Sequence, residues 1–69
     1  MTQGIPKGYI EIDIDGQVIG ANGEVVETDM AKLIDFGENE VWIPESQIYE
    51  LFEDSIIISE WLAEEKGLI

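Results

Sequence analysis

The sequence predicts a mainly β domain, small and barrel-like, with about five strands and a short C-terminal helix. Three observations predict it. From Tyr9 to Asp15, Ile10, Ile12 and Ile14 alternate strictly with Tyr9, Glu11, Asp13 and Asp15, the two-residue period of a half-buried strand. Further short runs rich in Ile, Val and aromatic residues follow, separated by Gly, Asn and Asp turn signals, as in a small barrel or sandwich. Helix signals cluster at the end, where Glu60 to Lys66 is bracketed by an N-cap residue, Ser59, and a C′ glycine, Gly67.

Each element has its own warrant. Residues 1–8 contain Gly4, Pro6 and Gly8 and read as a loose lead-in, which leaves 9–69 as a single domain. Asp15-Gly16 is a tight-turn signal, so Gln17-Val18-Ile19 is expected to return against Tyr9–Asp15 as a hairpin. Gly20-Ala21-Asn22-Gly23 marks another turn, and Glu24 to Thr28 and Met30 to Phe36 read as strands. Phe36-Gly37-Glu38-Asn39 then closes a hairpin into Val41-Trp42-Ile43, a strand that Pro44 ends because it has no N–H for the ladder.

After Pro44 the period changes. Glu45-Ser46-Gln47 suits a tight turn, and Ile48, Leu51 and Phe52 at i, i+3 and i+4 predict one or two helical turns. The continuous run Ile56-Ile57-Ile58 predicts a short strand, either covered on both faces or forming a partner-facing edge. Trp61 and Leu62 are expected to anchor the last helix. The expected core is Ile10, Ile12, Ile14, Leu33, Val41, Ile43 and Leu62.

Composition bounds the function. A chain of 69 residues has little core, and without cysteine or histidine neither disulfides nor the usual tetrahedral zinc can reinforce it. Oligomerisation or a partner is left to do so, and a homo-oligomer is expected. Sixteen acidic residues stand against Lys7, Lys32 and Lys66, for a net charge of −13. That field opposes phosphate, so direct nucleic-acid binding and anionic membranes are disfavoured. No leader-like segment and no apolar run near the ~20 residues of a membrane span are present, so a cytoplasmic setting is expected.

The chain offers little for catalysis or metal binding. Glu11-x-Asp13-x-Asp15-Gly16 resembles the opening of an EF-hand loop, but the twelfth position is Asn22 instead of a glutamate. Its ligands would also be strung along an extended strand. Ser46, Ser55 and Ser59 have no histidine to activate them, and a chain this short has little room for a cleft that desolvates one carboxylate of a pair. Gly20-Ala21-Asn22-Gly23 lacks the helix and lysine of a phosphate-binding loop. The expectation is no enzyme, no metal site and no cofactor.

The run Ala31-Lys32-Leu33-Ile34, then Glu40-Val41-Trp42-Ile43-Pro44-Glu45-Ser46-Gln47-Ile48, Ile56-Ile57-Ile58 and Glu60-Trp61-Leu62-Ala63-Glu64-Glu65-Lys66-Gly67-Leu68 resembles a group of small uncharacterised proteins of bacteriophages and other mobile elements. They share a strand, VWIPxSQI, strand, EWLAxxxGL pattern. The resemblance covers roughly the last 40 residues and implies a small barrel-like domain in a phage-type setting, in keeping with the SH3- or OB-like barrel expected from the strand pattern. It carries no activity with it. Members often have a lysine where this chain has Glu45, so no anion-binding role is carried over to that position.

These readings converge on protein–protein binding. The leading expectation is an inhibitor or modulator of a host nucleic-acid-binding or defence protein, with carboxylates presented where phosphates would lie. Rival expectations are an accessory structural subunit of a phage DNA-processing complex and an oligomeric sponge for a small signalling molecule. The candidate acidic face comprises Glu11, Asp13, Asp15, Glu27 and Asp29. The candidate apolar surface comprises Trp42, Ile56, Ile57 and Trp61.

Overall fold

The apolar run Ile56-Ile57-Ile58 is the strand on which half of the fold is built. In the computed structural model, which describes residues 4–69, it forms the centre of a three-stranded antiparallel sheet. The elements in chain order are β1 (Tyr9–Asp13), β2 (Gly16–Gln17), β3 (Ala31–Asp35), β4 (Glu40–Pro44), a 3₁₀ turn (Glu45–Gln47), β5 (Ile48–Leu51), β6 (Ser55–Ser59) and α1 (Glu60–Glu65). One sheet has the order β1-β6-β5 and the other β2-β3-β4. The mainly β class and the C-terminal helix agree with the sequence reading. The strands form two three-stranded sheets, and no closed barrel is found among the described residues.

A central strand is flanked on both sides and can be apolar on both faces. All five residues of β6 are buried. On its inner face Ile56 lies between Ile12 and Leu51, and Ile58 lies between Ile10 and Ile48. The expected helical turns at Ile48, Leu51 and Phe52 are instead β5 and the residue after it. A register shift between Ile48 and Glu50 inserts Tyr49 as an extra residue. The bulge lets Ile48 and Leu51 both meet the inner face at a spacing of three, which mimics a helical period.

The expected hairpin at Asp15-Gly16 does not form. Ile14 N–H donates to Asp54 O at 3.0 Å, while Asp15 N–H donates to Asp35 O at 2.8 Å. Neighbouring residues thus bond to different sheets, and the chain crosses between layers at this point. Gly16 follows at φ 134°, a conformation that side-chain-bearing residues rarely adopt.

In the second sheet β3 and β4 form the expected hairpin, with Phe36 N–H donating to Asn39 O at 2.9 Å. The expected strand 24–28 reduces to isolated bridges pairing Val25 with Ile19 and Glu27 with Lys32. The pairing of Ile34 with Val41 and of Lys32 with Ile43 places these four on the inner face. Leu33, expected in the core, therefore faces outward opposite Trp42. Ile14, Ile34, Ile43, Ile56, Ile58, Leu62 and Ala63 make the buried cluster, with Ile10, Ile12 and Val41 packed against it.

Helix α1 closes one end. Glu60 N–H donates to Gly8 O at 2.8 Å, and Tyr9 N–H donates to Pro6 O at 3.1 Å. Residues 6–8 are thus tied to the domain instead of forming a loose lead-in; residues 1–3 of that expected segment lie outside the described residues. At the C-terminus Leu68 N–H donates to Ala63 O (2.8 Å) and Gly67 N–H to Glu64 O (3.1 Å), the paired bonds of a Schellman motif, with Gly67 at φ 74°. Leu62 and Ala63 anchor the helix, whereas Trp61 is exposed. Among the described residues no helix is long and apolar enough to cross a membrane.

Candidate functional site

The outer face of the β1-β6-β5 sheet gathers the features of a recognition surface. The register sets Tyr9 beside Ser59, Glu11 beside Ile57 and Asp13 beside Ser55, with Glu50 on the far side of Ile57. Glu11, Asp13 and Glu50 are exposed around Ser55, Ile57 and Ser59, the buried residues of the central strand on this face. Ser55 Oγ donates to Glu11 Oε2 at 2.7 Å, which fixes that carboxylate over the sheet.

An aromatic bridge lies on the same face. Tyr9 and Tyr49 stand on the two strands flanking β6, and their ring centroids are 5.7 Å apart at a tilt of 56°. Strands two apart are separated by about 9–10 Å, so the rings reach across the central strand to meet. The pair helps cover Ile57 and Ser59, and Ser59 Oγ is buried there with no partner among the described residues. The bulge that inserts Tyr49 is what brings its ring to this face.

The predicted acidic residues do not all assemble. Glu11 and Asp13 share the face as parity predicts. Asp15 has left the strand for the crossing between sheets, where its carboxyl lies near Gly37. Glu27 belongs with the other sheet, bridged to Lys32, and its Oε1 accepts from Lys32 Nζ at 2.7 Å. Asp29 sits in the exposed turn before β3. Glu27 and Asp29 are therefore absent from this face, where Glu50 joins Glu11 and Asp13.

Lys32 also lies 3.3 Å from Glu45 Oε2. Its ammonium is held above the ordinary lysine value of 10.5, chiefly by the hydrogen bond to Glu27 and further by Glu45, with burial opposing. The other two lysines, Lys7 and Lys66, are exposed, as are all the carboxylates except half-buried Asp35.

The predicted apolar surface is corrected in two positions. Ile56 is fully buried and Ile57 nearly so, because β6 is an interior strand, so neither is available to a partner. Trp42 is 43% exposed and Trp61 57%, and these two remain on the surface. Trp42 has Leu33 opposite it, and Leu33 in turn accepts from Val18 N–H (3.1 Å) and donates to Val26 O (3.2 Å). That gives the second sheet a partly apolar outer face. Neither the tyrosine bridge nor Glu50 carries a signal in the sequence, since both depend on which strands flank β6.

Comparison with protein-family models, curated proteins and solved structures found no match to this chain.

Proposed function

We propose that this chain is a small acidic binding module that docks the outer face of its β1-β6-β5 sheet onto a basic surface of another protein. In the phage-type setting that the sequence resemblance suggests, the partner is a host nucleic-acid-binding or defence protein, which the module inhibits or modulates. The observation that supports this most is the combination on one face of Glu11, Asp13 and Glu50 with the Tyr9–Tyr49 pair. Exposed carboxylates steer a cationic partner, and tyrosine is among the residue types enriched at such contacts. Two residues apart on a strand is ~6.7 Å, sparser than the charges of one DNA strand. The face therefore offers charge complementarity, without imitating a phosphate backbone charge for charge.

The test is capture of bacterial lysate proteins on immobilised wild-type chain and on the variant Glu11→Gln, Asp13→Asn, Glu50→Gln, eluted with a salt gradient. Nucleic-acid-binding proteins should be retained by the wild type, released by added DNA, and lost from the variant. Equal capture by both would reject this face as the docking surface.

A further inference from the structure

Antiparallel pairing leaves a second, finer mark on β1. Residues directly opposite alternate between those that exchange backbone hydrogen bonds and those that do not. Glu60 N–H donates to Gly8 O and Ile14 N–H donates to Asp54 O, and both pairs continue the β1–β6 register. Gly8, Ile10, Ile12 and Ile14 are thus the bonded positions. At Tyr9, Glu11 and Asp13 the N–H and C=O groups point away from β6, off the edge of the sheet. Tyr9 N–H is satisfied by Pro6 O, whereas the outward groups of Glu11 and Asp13 have no protein partner among the described residues.

Along β1 lies a groove of about 470 Å³, lined by residues 11–13 together with Phe36, Glu38, Asn39 and residues 67–69. Phe36 and Leu68 are half-buried within it, and Glu38 adds a third carboxylate to Glu11 and Asp13. The other edges are guarded: β4 carries Pro44, β5 carries the bulge at Tyr49, and β2 is two residues long. β1 has neither proline nor bulge.

We infer that the β1 edge is a strand-addition site for an extended segment of a partner protein in which basic and apolar residues alternate. Its backbone takes up the outward N–H and C=O groups of Glu11 and Asp13. Its basic side chains lie beside the carboxylates on the outer face, and the apolar ones turn inward towards Phe36 and Leu68. A second copy of this chain is a poor occupant, because pairing β1 with itself sets carboxylates against carboxylates. This rests on the reading that the module binds a basic protein, and it specifies how.

The probe is a capped heptapeptide of alternating lysine and valine, compared with a twin N-methylated at alternate residues and with a glutamate–valine analogue. Amide hydrogen exchange of the intact chain is followed by NMR. The first peptide should slow exchange at Glu11 and Asp13 while leaving Ile10 and Ile12, already bonded to β6, unchanged. The methylated twin should bind about tenfold or more weakly, since it loses backbone bonds but no charge. The glutamate analogue should not bind. Equal binding of the methylated twin would overturn strand addition while leaving acidic docking intact. Unchanged exchange at Glu11 and Asp13 would also overturn it, as would protection there that grows with protein concentration in the absence of peptide, which would mark a second copy as the occupant.

Discussion

Lys32 and Glu27 face each other across an isolated bridge, with Nζ and Oε1 2.7 Å apart, although Lys32 occupies an inward position of β3 beside Ile34. The stem covers apolar surface while the ammonium reaches out to Glu27 and Glu45. Replacing Lys32 with Met keeps much of that packing, leaves two carboxylates near each other and makes a chain of net charge −13 more negative by one. Both partners of the pair are partly exposed, so the expected loss is about 1 kcal/mol at neutral pH.

The pH dependence of that difference has a definite sign. Folding raises the Lys32 pKa, so its contribution is complete below the ordinary value of 10.5 and is lost as pH climbs through the higher folded value. Denaturant midpoints of wild type and Lys32→Met should therefore differ at neutral pH and converge in strongly alkaline solution. A gap that stays constant across that range would mean packing, not charge, carries the effect.

Ile34 and Leu33 are adjacent in sequence and opposite in consequence. Ile34 is fully buried between Gln17 and Val41, so Ile34→Ala should cost roughly 2–5 kcal/mol, enough to unfold much of so small a domain. Leu33→Ala on the outer face should cost less than about 1.5 kcal/mol. Thermal melts of the two variants decide the point, and equal losses would show that the assigned inner face of β3 is wrong.

This pair also shows where the sequence was legible. In β1 the isoleucines and carboxylates separate cleanly, and the inner face and the exposed Glu11 and Asp13 follow from parity alone. In β3 the polar residue at the inner position is Lys32, whose charge escapes sideways, so parity pointed to Leu33 instead of Ile34. In β5 the bulge at Tyr49 converted a strand into an apparent helical spacing. Parity also says nothing about which sheet a strand joins, so it cannot separate Glu27 and Asp29 from a face they do not share. The tyrosine bridge depends on the order β1-β6-β5, a long-range fact with no local signature.

Gly67 tests the helix end. Its φ of 74° is strained for any residue with a Cβ, while the space around it is open, so Gly67→Ala isolates the backbone cost. A loss of about 1 kcal/mol is expected, a shift of ~4–8 °C in melting temperature for a domain of this size. A melting temperature equal to or above that of the wild type would contradict the Schellman geometry.

The partly apolar face around Trp42 and Leu33 leads to the last prediction, which concerns self-association. Two copies meeting through this face gain apolar burial but bring together net charges of −13 each, a repulsion that acts over a Debye length of about 10 Å at 0.1 M salt and less as salt rises. Association through Trp42 should therefore strengthen with added salt, the opposite of docking to a basic protein, which weakens. Sedimentation at high micromolar concentration should show a shift from monomer towards dimer as sodium chloride is raised, and Trp42→Ser should remove it. The variant Glu11→Gln, Asp13→Asn, Glu50→Gln should instead associate at lower salt than the wild type, because it carries less charge while its apolar face is untouched. A chain that stays monomeric at every salt concentration would refute self-association through this face. A dimer that dissociates as salt rises would need opposite charges in contact, which neither this face nor two facing rows of carboxylates supply, and would equally refute it.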